Sequence, residues 1–432
     1  MVVEPSPAET RVPHAAGVAI ADPGHVDDVM DIVIAGGGPV GAVLAHALAP
    51  LARSPLQPDG LTILHVRDAP QNGLLPADRP IALSWGSRLI MQRLGLWESL
   101  PATAITTIHV SQQKKFGRTL ISAADHAIAA LGYVVSYRDL AAIPDATGIT
   151  TRNGRVTDWE VHDDAVALRM DDANATAGLK TRLLVVADGG RHGKNQGSSA
   201  TQTGRDRVKD YAQSAIVCEV ESTLAHGNRA WERFSPQGPI ALLPFRDKHA
   251  LVWTSATATA EQLLALDDNA FLQELQAAFG ERLGRFRNAS ARTLFPLSLR
   301  YHTQAADARI IAVGNAAQTL HPVAGQGLNL GLRDAWELAE LITANATEHN
   351  LSAQTTQRPD AGAIELTRRY AQRRQFDRRA LVRLTDGLIS AFSIDLPLSS
   401  SVRGAALAFL DTVPTARRFL SRRMMFGARA LP

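Results

Sequence analysis

The hydrophobic and polar positions of the chain form two strand–turn–helix units separated by a long region of strand-like alternation. In the first unit, an apolar strand pattern at residues 31–35 leads into a glycine-rich turn, and a helical pattern at 42–49 and a strand at 61–65 follow. In the second unit, an apolar strand at 309–313 precedes a glycine-bearing loop and a periodic helix at 328–342. Short apolar runs bounded by glycine predict buried strands, and a 3.6-residue period predicts helices.

Between the two units, the pattern is mainly that of β-strands. Strands are predicted at residues 108–111, 133–137, 156–170, 183–187 and 211–256. The run at 183–187 is continuously apolar, which is typical of a parallel strand that is buried on both faces. One helix is predicted over 263–279, and the region from 361 to the C-terminus has a helical, Arg-rich pattern.

Glycine-rich units on both sides of a β region predict an α/β fold in which a Rossmann-like nucleotide-binding domain is interrupted by a mostly β substrate domain and followed by C-terminal helices. We assign residues 30–106, 138–204 and 300–345 to the nucleotide-binding domain, 107–137 and 205–299 to the substrate domain, and 346–432 to the C-terminal helices. Residues 1–29 lack the basic start and apolar segment of a signal peptide, so we expect a disordered extension there.

Composition narrows the possible functions. The 432 residues are 45% hydrophobic and 20% charged, and the net charge of +3 is not gathered into a basic stripe, so we expect no binding to nucleic acid. Cys218 is the single cysteine, which excludes an internal disulfide and fits a reducing compartment. The sequence contains no apolar run of membrane-spanning length, no cysteine–histidine cluster with zinc spacing and no G-x-S-x-G motif.

The first glycine cluster has the G-x-G-x-x-G spacing in the strand–turn–helix context that a dinucleotide site requires. Gly36 makes the turn, Gly38 admits a pyrophosphate, and Gly41 allows close packing of helix and strand. An acidic residue that binds the ribose is expected about 20 residues later. We place His65 at the end of the second strand, where it either makes one ribose hydrogen bond or merely closes the strand, and Asp68 lies three residues further on.

The second glycine cluster predicts a site for a flat ligand. Gly325, Gly327 and Gly331 bear no Cβ, so the backbone can come close to such a ligand. The free N–H groups at the start of the following helix would favour developing negative charge, such as that of a reduced flavin.

These segments resemble the FAD-dependent aromatic hydroxylases of the p-hydroxybenzoate hydroxylase fold. Among them, the chain is most similar to the ubiquinone-biosynthesis hydroxylases, and in particular to the branch that acts on 2-polyprenyl-6-methoxyphenol. The resemblance covers roughly residues 30–425. It is carried by residues 36–41, 79–84, 104–111, 187–189, 232–244, 252–253, 314–331 and 370–377.

The resemblance implies an FAD-dependent, NAD(P)H-consuming monooxygenase that uses O2 to hydroxylate a prenylated phenol through a flavin C4a-hydroperoxide. We assign cofactor binding to Gly36, Gly38, Gly41, His65, Arg79, Asp188, Gly189, Asn315, Gly325, Gln326, Gly327, Leu328 and Asn329. The residues that we assign to catalysis are Pro322, which would shape the flavin face, and His321, a candidate general base. We assign no metal ligand.

Several of these residues have a plainer structural alternative. Arg79 either pairs with the FAD phosphates or caps a helix end, and Asp188 either faces the ligand at the sheet edge or N-caps the next helix. His321 is either a base or a loop histidine bonded to backbone, and Asn315 either binds the ribityl or phosphate region of FAD or simply ends a strand.

Three features depart from the family pattern. His65 stands in place of the ribose-binding Glu, and His192 stands where the A-D-G-x-x-S pattern has Ser, which weakens any nicotinamide path beside Asp188. The segment 137–167 is short, so a helix that borders FAD in the family is expected to be trimmed.

Other functions remain open from the sequence alone. One alternative is another flavoprotein on this fold, such as a small-phenol hydroxylase or a prenyl reductase, and the other is a non-catalytic scaffold subunit of a quinone-biosynthesis complex. Phe234, Leu243, Pro244 and Trp253 either line an apolar substrate pocket or form plain core. The Arg-rich C-terminus either contacts an anionic membrane or a partner complex, or is a solvated helix face. We expect a cytoplasmic protein, with peripheral contact at the inner face of the membrane as an option.

Overall fold

The structure is a computed structural model and describes residues 29–68, 78–171, 178–190, 206–302, 306–319, 325–351, 360–393 and 399–427. An eight-stranded sheet contains β1 (Met30–Ala35), β2 (Ile63–Arg67), β8 (Thr150–Asn153), β9 (Arg155–Val161), β10 (Val166–Asp171), β11 (Leu179–Val186), β18 (Ala306–Asp307) and β19 (Ile310–Ala312). Its central order is β18-β19-β11-β1-β2-β8, and β19, β11, β1, β2 and β8 run parallel.

A nine-stranded sheet contains β5 (Thr107–Gln112), β6 (Arg118–Ser122), β12 (Asp206–Ser222), β13 (Arg229–Ser235), β14 (Gly238–Phe245), β15 (Lys248–Ala256), β16 (Phe286–Ala289), β17 (Thr293–His302) and β20 (Gln318–Thr319). A third sheet, of three strands, contains β3 (Pro80–Ser84), β4 (Thr103–Ile105) and β7 (Gly132–Ser136). Because β20 belongs to the nine-stranded sheet yet lies within 300–345, the two large sheets interleave in the chain, and our domain boundaries stay a proposal.

The described helices are α1 (Pro39–Leu48), α2 (Trp85–Arg93), α3 (Tyr137–Ala141), α4 (Thr257–Ala265), α5 (Asp268–Phe279), α6 (Gln326–Leu351), α7 (Ile364–Ser393), α8 (Ser399–Thr412) and α9 (Pro414–Phe426). The prediction of one helix over 263–279 is wrong. Two helices cover this region, and the second starts at Asp267, whose carboxylate accepts a hydrogen bond of 2.9 Å from the Ala270 N–H. An N-cap of this kind satisfies a free N–H group at the helix start and so favours a new helix there.

The parallel strands are buried on both faces. Ile32 and Ile34 of β1 pack against α1 and α6, whereas Val33 and Ala35 belong to a second core with Trp159 on the opposite face. This two-sided burial explains why the sequence of the strand is a continuous apolar run. The α/β class predicted from the sequence is confirmed, and so is the helical C-terminal region.

Candidate functional site

Two glycines of the turn between β1 and α1, Gly36 and Gly41, leave no room for a side chain. A Cβ on Gly36, whose φ is +134°, would lie 2.4 Å from the Ala187 carbonyl, and a Cβ on Gly41 would lie 2.1 Å from the Gly36 oxygen. At Gly38, by contrast, no atom lies within 4 Å of the Cβ position, so the backbone there faces open space. Gly38 is the N-cap of α1, and the helix begins with Pro39. The free N–H groups of this helix start therefore face an opening that suits a pyrophosphate.

Two further segments meet this turn at the carboxyl edge of the parallel sheet. Asp188 follows β11 and accepts a hydrogen bond of 3.0 Å from the Gly190 N–H, and Gly189, with φ of +76°, has no neighbour among the described residues within 4 Å of its Cβ position. Asn315 lies in a 3-10 turn after β19, and its carbonyl oxygen is 2.9 Å from the Cβ position of Gly190. Because β1, β11 and β19 are adjacent parallel strands, their ends bring these predicted residues together, where ligands of open α/β sheets bind. The Asn315 side chain is exposed.

At the start of α6, the side chain of Asn329 bonds to the protein and not to a ligand. Its amide oxygen accepts hydrogen bonds from the Ser84 N–H (2.8 Å) and the Ser87 hydroxyl (2.7 Å), while its NH₂ group donates to the carbonyls of Ala82 (3.0 Å) and Gly325 (2.7 Å). The Asn329 side chain is buried and uses the full capacity of its amide on the protein. We therefore correct its assignment: the side chain positions the loop, and only its backbone is left to face a cofactor.

The neighbouring residues of α6 differ in what they can offer. Gly325 has φ of +59°, which favours glycine, and no atom of the described residues lies within 4 Å of the Cβ position of Gly327. Gln326 is buried and donates to the Met424 carbonyl at 3.3 Å, and Leu328 packs on the main core. Gly327 is thus the member of this group around which the structure leaves space.

The expectation for Gly331 is wrong. A Cβ on Gly331 would lie 2.8 Å from the Val40 side chain and 2.9 Å from the Gly314 Cα, so this glycine allows α1, α6 and the turn after β19 to pack closely. It does not make room for a flat ligand.

The placement of His65 at a strand end is also wrong. β2 continues to Arg67, and His65 is 2% exposed with its Nε2 3.1 Å from the Gly36 carbonyl oxygen. Burial lowers the pKa of His65, so the ring is neutral, and it contacts the glycine turn through the Gly36 carbonyl. Arg67 occupies the strand end instead, forms an ion pair with Asp145, and its Cβ lies 2.5 Å from the Cβ position of Gly37. The sequence pattern did not determine where β2 ends. In the structure, the strand buries His65 and places Arg67 at its end.

Arg79 is held by aromatic rings. Its guanidinium carbon lies 4.5 Å from the centre of the Tyr137 ring and 5.6 Å from that of Phe295. Within the described residues no carboxylate forms an ion pair with it, which leaves the charge available to an anionic ligand. The helix-cap alternative receives no support, because Arg79 precedes a strand.

The two predicted catalytic residues, His321 and Pro322, lie outside the described residues, as does His192. Their assignments stay predictions. Of the predicted substrate wall, Trp253 is 2% exposed and packs against Phe271 of α5. Trp253 is therefore core.

An ion network that the sequence analysis did not assign ties α6 and α7 to this site. Arg374 is 1% exposed, and its guanidinium donates to Asp334 at 2.7 Å and to Asp377 at 2.9 Å. Arg333 also donates to Asp377, at 3.2 Å. The resemblance over 370–377 was the signal for this helix, but nothing in it showed which carboxylates Arg374 meets.

The network reaches the ligand-binding edge through Asp334. Its second carboxylate oxygen accepts hydrogen bonds from the Gly314 N–H (3.2 Å) and from the Gln318 side chain (2.8 Å). Burial opposes the charge of Asp334, but Arg378 and Arg374 outweigh this effect, so the pKa of this carboxyl is below its ordinary value. The ionised Asp334 thus fixes the segment that carries Asn315.

Several features of this sheet edge suit FAD. The opening at Gly38 can accept a pyrophosphate on the N-terminus of α1, and no acidic residue lies in the first turn to repel it. The turns at Asp188 and Asn315 flank that opening. The chemistry and spacing of the described residues therefore fit a dinucleotide cofactor, although the ribose end differs from the expected acidic residue.

Comparison with known proteins gives the same answer. Residues 29–363 match the FAD binding domain family. The ubiquinone hydroxylase UbiL of Rhodospirillum rubrum is 32% identical over 96% of this chain and 95% of its own length. The 3-demethoxyubiquinol 3-hydroxylase of Escherichia coli is 28% identical over 90% of this chain and 96% of its own length.

Among solved structures, the p-nitrophenol 4-monooxygenase PnpA of Pseudomonas putida DLL-E4 has a TM-score of 0.71 at 16% identity, over 93% of this chain and 99% of that one. This similarity shows the fold. The cofactor prediction of FAD is confirmed, with NAD(P)H as the electron donor that is typical of the family. The chain therefore belongs to the FAD-dependent aromatic-ring monooxygenases, in the family that includes the ubiquinone hydroxylases.

Proposed function

We propose that this protein hydroxylates the ring of a prenylated phenol, 2-polyprenyl-6-methoxyphenol, in ubiquinone biosynthesis. The observation that carries the proposal is the opening at Gly38, flanked by Asp188 and Asn315, in a chain that matches a ubiquinone hydroxylase over 96% of its length. Bound FAD supplies the activation of O2 and the oxygen transfer. Nothing in this reaction requires a metal site.

The residues of the chain bind and orient the cofactor. The N–H groups at the start of α1 hold the pyrophosphate, and the cation of Arg79 is available to its charge. The start of α6 is fixed by Asn329, and the positive end of the helix dipole favours negative charge beside it. His321 and Pro322 remain our candidates for contact with the flavin and substrate.

The second candidate is a different position in the same pathway. The E. coli relative is named a 3-demethoxyubiquinol 3-hydroxylase, and its identity of 28% is close to that of the UbiL relative. Deleting the gene in its host and identifying the accumulated precursor by mass spectrometry separates the two. Accumulation of the decarboxylated, methoxylated phenol supports our proposal, whereas accumulation of a demethoxy quinone assigns the protein to the later step. Normal ubiquinone in the deletion strain contradicts both.

The colour and activity of the purified protein distinguish the remaining alternatives. A non-catalytic scaffold predicts protein that stays colourless after FAD is added. A small-phenol hydroxylase predicts activity on free phenols with no preference for prenylated ones. Our proposal predicts a yellow protein that consumes NAD(P)H and O2 faster with the prenylated phenol.

We also propose that the protein works at the cytoplasmic face of a membrane, through an apolar surface on α8. No described helix is long and apolar enough to cross a membrane. On α8, however, Val402, Ala405, Ala406 and Phe409 lie on one face of the helix and are all exposed, with Val402 at 67% and Phe409 at 56%. An apolar helix face that points to solvent is typical of a docking surface.

The connection between β5 and β6 extends this α8 surface. Phe116 is 76% exposed, and its backbone oxygen lies 2.5 Å from the Cβ position of Gly404, so it stands beside α8. Lys114 and Lys115 next to it are exposed cations. Apolar side chains flanked by cations complement an anionic lipid surface, where a polyprenyl substrate also resides.

Vesicle flotation tests the α8 surface. The wild type should float to the top fraction with vesicles of phosphatidylglycerol and phosphatidylcholine in equal amounts. The V402D/F409S variant should remain in the bottom fraction. The control is Leu56→Ser, which removes a 98% exposed leucine elsewhere. Equal flotation of both variants, or failure of the wild type to float, contradicts the proposal and favours a protein partner for this surface.

A further inference from the structure

We propose that Glu232 is the acid–base residue that contacts the phenol hydroxyl of the substrate and exchanges its proton. This inference rests on the proposed hydroxylation and names a residue for it within the described part of the chain. Glu232 lies in the middle of β13, one of the central strands of the nine-stranded sheet.

The orientation of Glu232 follows from its neighbours on β13. The Trp231 ring packs against Phe279 of α5, with ring centres 6.0 Å apart, and the Arg233 guanidinium lies 5.9 Å from the same ring. Because successive side chains of a strand point to opposite faces, Glu232 points to the face without α5.

On that face, Glu232 belongs to a transverse row of five residues. The strand register places Val110, Glu232, Ala241, Val252 and Val217 opposite one another across five strands. All five are half-buried, and Glu232 is the charged member among four small or apolar ones. The row therefore forms an apolar strip of the sheet face with one carboxyl group in it, which is the kind of lining that a pocket for a prenylated ring requires.

The position of this strip on the sheet face links it to the cofactor site. Ile105 and Val134 of the three-stranded sheet pack on Ala230, two residues before Glu232, and so cover the neighbouring part of the same face. In that small sheet, Ala82 lies 3.1 Å from the Cβ position of Gly325, at the start of α6. The three-stranded sheet thus contacts both the sheet face that carries Glu232 and the helix start that we assign to FAD.

The surroundings of Glu232 support an exchangeable proton. Burial raises the pKa of Glu232 to about 7, and this burial is the sole cause of the shift. The residues beside it on β5 and β14, Val110 and Ala241, carry no charge. The nearby cations Arg233 and Arg282 lie on the α5 face, where Arg282 contacts Ser111. Within the described residues, no charged group therefore holds Glu232 ionised.

The proposed step is a proton transfer. The carboxylate of Glu232 accepts the phenol proton as the O–H bond breaks, and the electron pair stays on the phenol oxygen. The resulting phenolate is a more electron-rich ring for oxygen attack. The neutral carboxyl group then returns a proton when the product phenol forms, so no other acid or base is consumed. A general base with a pKa near the working pH is the most efficient one.

The test compares Glu232→Gln with the wild type, with Glu274→Gln on the exposed face of α5 as the matched control. We expect kcat/KM for hydroxylation by the wild type and the control to rise with pH through about 7. In Glu232→Gln this rise should vanish and the rate should fall about 100-fold. FAD content, read from flavin absorbance, should stay unchanged.

A second measurement does not depend on turnover. Binding of a nitro-substituted prenylphenol should produce the visible absorption band of a nitrophenolate in the wild type and in Glu232→Asp, but not in Glu232→Gln. A phenolate signal in Glu232→Gln, or an unchanged pH profile, overturns the inference and assigns the proton to another group. If the wild type hydroxylates no prenylated phenol, the proposed function itself fails, which is a distinguishable result.

Discussion

Replacing Arg374 with Met should destabilise the protein far more than any nearby exposed substitution. Met keeps much of the side-chain length but removes the guanidinium that donates to Asp334 at 2.7 Å and Asp377 at 2.9 Å. Asp334 is 0% exposed and Asp377 is 4% exposed, so both carboxylates would stay buried with less positive charge beside them. Breaking a buried ion pair on one side costs about 3–5 kcal/mol. Arg378, 3.6 Å from Asp334, remains, so we expect a loss of about 3 kcal/mol, at the lower end of that range.

Urea unfolding followed by circular dichroism measures this loss, and Arg373→Met is the matched control. Arg373 is the preceding residue of α7, but it is 33% exposed and pairs with Glu337 and Glu340 near the surface. Such a pair contributes about 1 kcal/mol or less. Equal stabilities of the two variants, at equal slopes of free energy against urea, would refute the reasoning about the buried network.

The Arg374→Met variant should also bind FAD more weakly. Asp334 holds the Gly314 N–H and the Gln318 side chain, so loss of its main cation should loosen the segment that carries Asn315. Affinity for FAD should therefore fall in Arg374→Met even under conditions where the protein remains folded. Unchanged FAD affinity in the folded variant would separate the network from the site.

Three other substitutions probe the site and the sheet. Gly41→Ala places a Cβ 2.1 Å from the Gly36 oxygen, so FAD absorbance should be lost from the purified variant; retained FAD would show that the turn tolerates the clash. Asn329→Ala leaves the Ser84 N–H without its acceptor and should cost about 2–4 kcal/mol in urea unfolding, and a smaller cost would contradict its role in positioning the loop. Burial raises the pKa of Glu232 from 4.5 to about 7 in the folded protein. The unfolded chain therefore loses this proton at lower pH than the folded protein does, and the free energy of unfolding falls as the pH rises from 4.5 to about 7. Glu232→Gln should thus be more stable than wild type by about 3 kcal/mol at pH about 8 and equal to it at pH about 4, and a pH-independent difference would contradict this assignment.

The strand–turn–helix units were readable in the sequence because local rules determine them. The continuous apolar run of β1, the spacing of Gly36, Gly38 and Gly41, and Pro39 at the first turn of α1 each restrict the backbone within a few residues. The fold class and the cofactor followed from these elements together with the family resemblance. The break before α5 was missed, although Asp267 was a visible N-cap signal.

The sequence by itself therefore determined which segments form the parallel sheet and which loops carry glycine, since these depend on period, chirality and steric freedom close along the chain. Only the tertiary structure decided what each polar side chain meets. The Asn329 side chain accepts a hydrogen bond from Ser84, 245 positions away, and the register of β2 places the His65 ring against the Gly36 carbonyl. Glu232 acquires its raised pKa from its burial in the folded sheet. Hydrogen bonding and desolvation act through space between distant segments, and no local pattern in the chain contains those distances.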